Sequence, residues 1–193
     1  MENLLSICLG IGLSAACGFR VFVPLLIMSS ASLSGHLTLS HGFQWIGTYP
    51  ALVAFITASL LEVFAYYIPS VDNLLDAMAG PAAVVAGTLV AASSFVHMDP
   101  LLKWILALIA GGGTAALFHG STALMRGSST VLTGGFGNHA IATAELGIAS
   151  FLSILAIALP LLSIIVVVLM LLVLIKKGLQ RLVKSRRTEG EVS

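Results

Sequence analysis

Charge is what this chain has least of. Only 9% of its 193 residues are charged against 58% apolar, and mean hydropathy is +1.07. Soluble domains carry roughly 25% charged residues, so this composition excludes an ordinary soluble domain. It also leaves too little basic surface to hold a nucleic-acid backbone. Cysteine is nearly absent. Cys8 and Cys17 would lie about 13 Å apart on one helix, too far for a disulfide. The five histidines and two cysteines show no metal-ligand spacing, so no metal or other cofactor is expected. There is no nucleophile elbow, phosphate loop or metalloprotease motif, and the chain reads as not an enzyme. An intramembrane enzyme acting on lipid would need a nucleophile or metal site that these residues do not supply. The N-terminus lacks a basic leader and begins with Glu2, so residues 4–29 read as a retained span rather than a signal peptide.

What is present is a series of apolar stretches. The expected fold is all-α, a polytopic transmembrane helical bundle of about five spans. The transmembrane domain covers residues 1–175 and a basic tail covers 176–193. The first span, about Leu4 to Ser29, contains Gly18, Arg20 and Pro24, which predict a broken helix near 18–24. The second runs from Pro50 to Ile68. A short helix from Ser70 ends at Gly80, and Pro81 opens a third span to Val96. A fourth runs from Leu101 to Met125, and a Gly/Ser/Thr-rich loop fills 126–142. Residues 143–175 are too long for one straight crossing. They form either one tilted helix kinked at Pro160 or two segments.

Six of the nine Lys/Arg residues lie between Lys176 and Arg187, which places the C-terminus in the cytoplasm. With five spans the N-terminus is outside, Lys103 is cytoplasmic, and Asp72, Asp76 and Arg126 are on the outer side. A shift of 100 residues aligns Ser14-Ala15-Ala16 with Thr114-Ala115-Ala116 and Gly35 with Gly135. In this topology that is the pattern of an inverted repeat, a transporter signature.

An ionisable residue at membrane depth costs a few kcal/mol or more and normally has a partner and a task. Arg20, at the helix break, can bind an anionic group or form an internal salt bridge with Glu62. Glu62 can accept a proton for coupled transport or serve as a structural carboxylate. His119, with Gly120, Ser121 and Thr122, makes a polar patch in the fourth span. Asn138 and Glu145 flank the glycine-rich loop, with Glu145 in the first turn of the next span, where negative charge suits the helix dipole. Arg126 and the pair Asp72 and Asp76 are candidates for an outer clasp or gate.

Three blocks carry a family resemblance: Gly12 through Pro24, Glu62 through Asp76, and Gly134-Gly135-Phe136-Gly137-Asn138 with Glu145. Together they resemble a bacterial membrane family catalogued as domain of unknown function 4126, over most of the chain up to about residue 160. The resemblance implies a prokaryotic integral membrane protein of the cytoplasmic (inner) membrane and implies no activity. The functional expectation from the residues is a small secondary transporter or permease for a small solute or ion, in contact with the lipid bilayer and forming a homodimer. The alternative is a structural or assembly factor within a membrane complex.

Overall fold

The structure is a computed structural model describing residues 2–134 and 137–190. Within these, the side chains of residues 2, 69–77, 177–179 and 181–190 lie outside the described set. The described residues are helical: α1 (Glu2–Cys17), α2 (Phe22–Leu33), a 3-10 turn (Gln44–Gly47), α3 (Tyr49–Ala65), α4 (Pro69–Ser94), α5 (Pro100–Leu106), a π segment (Ala107–Gly112), α6 (Gly113–Thr133), α7 (Asn138–Ala158) and α8 (Pro160–Gly190). Two of these stretches, Pro100–Thr133 and Asn138–Ala158, are long and apolar enough to cross a membrane, and five shorter apolar helices accompany them. Large apolar side chains such as Val53, Leu61, Phe64, Ile109 and Phe151 are exposed on the outside of the bundle. The apolar helices point to a membrane protein.

α1 is the axis, packed by α4, α6, α7 and α8. Small residues make that possible, since Ser14, Ala15 and Ala16 are wholly buried. The Ser14 hydroxyl donates to the Gly87 carbonyl of α4 at 2.7 Å. A Cβ on Gly87 would stand 2.6 Å from the Ala115 Cβ, so only glycine lets α4 and α6 approach this closely.

The expected break in the first helix occurs at Gly18–Val21, and it is a reversal rather than a kink. Gly10 of α1 abuts Ala91 of α4 and Phe95, the residue that follows its last turn. Met28 of α2 accepts from the Ser93 hydroxyl at that same end of α4. α2 therefore runs back beside α1. With 16 and 12 residues, the two arms are about 24 and 18 Å long, shorter than the roughly 30 Å hydrocarbon core. The pair has the shape of a re-entrant hairpin.

Other boundaries differ from the sequence expectation. α4 runs unbroken through Gly80-Pro81. Proline there removes one hydrogen bond, while buried Ala79 and Ala83 keep both halves on the same packed face. The loop expected over 126–142 shrinks to 134–137, because α6 continues to Thr133. The hydroxyls of Ser128, Thr130 and Thr133 donate to carbonyls one turn back instead of ending the helix. Gly134, at φ 63°, closes it in the left-handed conformation. Residues 143–175 form two helices that meet at Leu159. Pro160 starts α8 as a first-turn residue rather than kinking one long helix. α8 doubles back: Gly12 touches both Ala156 and Ser163, and Leu174 shares a cavity wall with Phe19 and Ile148.

Among the described residues these helices lay down seven antiparallel passes, α2 and α8 being the returns of the first and last expected spans. The 100-residue shift is not carried into the helix boundaries. The chain reverses at Gly18–Val21, whereas α6 runs uninterrupted through the corresponding stretch. The two ends also sort differently. The hairpin tip, the α3–α4 junction, Gly134 and Gly137, and the outgoing part of α8 share one end. Lys103 lies at the other, where its ammonium donates to Ser40. Arg126 and the segment bearing Asp72 and Asp76 are therefore toward the end from which the basic tail leaves, not opposite it. Single cysteines at Gly134 and Ser185 are expected to label from one side of the membrane with an impermeant thiol reagent, and a cysteine at His97 from the other. Labelling of Gly134 and His97 positions from the same side would overturn this arrangement.

Candidate functional site

The hairpin tip places four charged side chains together inside the bundle. Gly18 ends α1 under α6, where a Cβ would stand 2.6 Å from the Ala115 carbonyl oxygen. That close approach turns the chain inward and buries Arg20, which is 1% exposed. α2 then starts with free backbone N–H groups, as any helix does. Glu62, reaching from α3, accepts from Val21 N at 2.8 Å and Phe22 N at 3.1 Å. Its carboxylate thus caps α2 from another helix, against the positive end of the dipole.

Arg20 does not bond to Glu62. Its Nη2 donates to the Ala142 carbonyl of α7 at 2.8 Å and lies 3.7 Å from Glu145 Oε2. The ionic partner is thus Glu145, and Glu62 is engaged by backbone. Arg126, on α6 and 3% exposed, grips the same Glu145 from the other side. Its Nε donates to Oε1 at 3.1 Å and its Nη2 pairs with Oε2. Both guanidiniums lie on the Tyr66 ring, at 4.0 and 4.1 Å from its centroid. This is the range of a cation–π contact.

Around this core, Asn138 donates to the Thr130 hydroxyl at 3.0 Å and so ties the start of α7 to the end of α6. Tyr67 and Thr143 hydrogen-bond at 2.8 Å, and the His139 ring packs at a tilt against Tyr67. His119 lies half-buried near Gly80 of α4, and no described contact joins it to the charges. The side chains of Asp72 and Asp76 lie outside the described residues, and with them the clasp to Arg126. Among the described residues, no group of three His, Cys, Asp or Glu side chains could hold a metal ion.

The sequence places Glu145 in the first turn of its helix, but α7 already starts at Asn138, so Glu145 lies past the first turn and acts on the arginines instead of the helix end. The available signal was scarcity. In a chain with so few charges, Arg126 and Glu145 are as isolated from other charges along the sequence as Arg20 and Glu62, and four such residues imply mutual pairing.

The cluster leaves a notable remainder. Among the described residues, Arg20 Nε and Nη1 have no hydrogen-bond partner. Together these atoms carry three of the five N–H groups of a guanidinium. An apolar cavity of about 460 Å³ between α3 and α4 reaches Glu62 and Tyr66. A second, of about 320 Å³ between α6 and α8, reaches Phe19. Arg20 itself lines neither.

Removing one member of a buried pair costs about 3–5 kcal/mol, whereas losing a charged cap costs about 1–2 kcal/mol. Glu145→Gln should therefore lower the unfolding free energy in lipid nanodiscs clearly more than Glu62→Gln. Equal melting of the two variants would contradict this division of roles.

Comparisons with curated proteins and with solved structures give no match. A family model does match, described as a domain of unknown function and covering residues 7–177, a range that holds the whole charge cluster. The chain belongs to the DUF4126 family.

Proposed function

We propose that this protein is a small permease of the bacterial cytoplasmic membrane, with its solute or ion site at the tip of the α1–α2 hairpin. The observation carrying this reading is a buried arginine at a re-entrant tip with three N–H groups unmet. A structural ion pair has no need of unmet donors, since each unsatisfied buried group costs about 1–3 kcal/mol. A site that alternately holds and releases a polar solute does. Broken helices with termini aimed at a mid-bundle site are how transporters bind charged groups in lipid. Glu62 contributes by holding the tip in place, and Glu145 with Arg126 fixes the wall behind it. The basic stretch from Lys176 favours a cytoplasmic position for the tip end.

The test is solute flux into proteoliposomes, using swelling with a panel of small salts and neutral solutes. Uptake above protein-free vesicles is expected for a subset, and Arg20→Lys should reduce it about tenfold or more because a point charge does not replace a planar fork. Flux equal to that of empty vesicles for every probe would overturn the reading.

One observation favours a homodimer. Gly113, Gly120 and Gly127 recur every seven residues on α6, and open space lies above each. Such a stripe suits close packing against another membrane helix, here a second copy. Gly120→Leu should convert a homodimer to monomer in native mass spectrometry. An unchanged mass would remove this role for α6.

A further inference from the structure

Another cavity, of about 860 Å³, lies between α2, α3 and α7 at the end away from the charge cluster. It opens sideways, where Ile56 and Ile154 are exposed on the outside of the bundle. Its volume is in the range of small-molecule sites, roughly 300–1,000 Å³. Its wall is graded. Leu26, Ile27 and Ile56 line the part nearer mid-bundle, and Ser30, Ser34 and His36 follow toward the end of α2. Leu26 and Ser34 are about 12 Å apart along the helix. A wall that is branched hydrocarbon within and polar at the rim has the order of a lipid in one leaflet, tail inward and headgroup outward.

The rim is built by the end of α2. Gly35 takes φ 77°, which glycine adopts without strain. His36 N then donates back to the Ala31 carbonyl, and Gly35 N to that of Ser32. These two bonds close α2 as a Schellman motif and fold His36 over its last turn. The Ser34 hydroxyl donates its single hydrogen to the Ser30 and Ala31 carbonyls. Toward His36 Nδ1, 3.0 Å away, it can therefore only accept. Nδ1 is then the protonated nitrogen, and Nε2 of the neutral ring is left as an acceptor.

Helix ends add negative partial charge at the same rim. α2 finishes here, and so does α7, at Ala158 on the cavity wall. Pro160 supplies no N–H to the carbonyls of that last turn. α3 begins at this end, but Thr48 accepts from Ala51 and Pro50 has no N–H. Among the described residues, no lysine or arginine lines the cavity. The Lys103 ammonium at this end donates to Ser40 and lies over the Phe43 ring. The rim thus offers acceptors and suits a donor that carries positive charge.

We propose that this groove holds one phospholipid with a primary ammonium headgroup. Its acyl chain lies along Leu26, Ile27 and Ile154, and its ammonium donates to His36 Nε2 and the Ser34 hydroxyl oxygen. Its phosphate stays in the interfacial water. The basic tail leaves from the opposite end, so the lipid belongs to the outer leaflet. It supports α2, whose 12 residues do not span the hydrocarbon core. The site stands whether or not the protein is a permease.

Full-length protein in detergent is incubated with an equimolar mixture of three phospholipids that share their acyl chains and differ in headgroup: ethanolamine, choline and glycerol. Retained lipid is read by native mass spectrometry. One ethanolamine lipid per chain is expected, held about tenfold tighter than the choline lipid, whose ammonium has no N–H. His36→Ala should abolish that difference, and Ile56→Trp, which fills the groove, should expel the lipid whatever its headgroup. Both positions are exposed, so both variants should melt like wild type without added lipid. Equal retention of the ethanolamine and choline lipids by wild type overturns the headgroup recognition. Stronger retention of the glycerol lipid means that a hydroxyl is read, and overturns the ammonium. A preference that survives both substitutions places the lipid elsewhere and overturns the site. A dimer that Ile56→Trp converts to monomer would give the groove to a second copy instead.

Discussion

One carboxylate, Glu145, stands between two arginines from distant parts of the chain, and the arrangement of the tip end follows from it. Arg20 comes from the hairpin and Arg126 from α6, while Glu145 is on α7. Each arginine is almost fully buried, where an uncompensated charge costs several kcal/mol, a large share of the roughly 5–15 kcal/mol by which a domain is stable. The three elements must therefore meet at one level. Tyr66 adds α3 to the junction through both guanidiniums, and Glu62 adds the start of α2. At the opposite end, cohesion is of another kind. There Lys103 donates to Ser40, and along the length between the ends the glycines of α1, α4 and the π segment let the helices pack backbone on backbone.

The two ends explain what could be read from sequence. Composition set the class, because an apolar excess this large leaves few alternatives. Gly18 and Pro24 marked the break in the first helix, since both act locally on backbone geometry. The reversal was not legible. It depends on α4 accepting Gly10 and Met28 at the same level, a long-range fact. The same holds for Arg126. Its Ser- and Thr-rich surroundings read as loop by composition, yet hydroxyls bonding one turn back are compatible with helix. Pro81 and Pro160 look alike in sequence. Packing of Ala79 and Ala83 on one face keeps α4 continuous, whereas the chain turns back on itself at Leu159 so that Ala156 and Ser163 both meet Gly12.

The site was legible in part for a related reason. Arg20 and Glu62 stood out as isolated charges in apolar runs, and the structure brings them to one tip. Their partners were misassigned. Pairing the two most visible charges ignored that a helix restarting after a break supplies its own donors, and Glu62 answers those. With Glu62 engaged, Arg20 needed another anion.

The hairpin has a consequence for how the protein is made. α1 and α2 leave the ribosome before the other helices described, and they carry an arginine and an uncapped helix start. Glu62, which caps that start, is on the next helix; Glu145, which balances the arginine, is on α7 near the far end of the chain. Until α7 arrives, the first-made element cannot rest at its final depth, because its charge has no anion to meet. The tip that is written first in the sequence sets last in the membrane. The final segments α7 and α8 then lock a hairpin that has waited through most of synthesis.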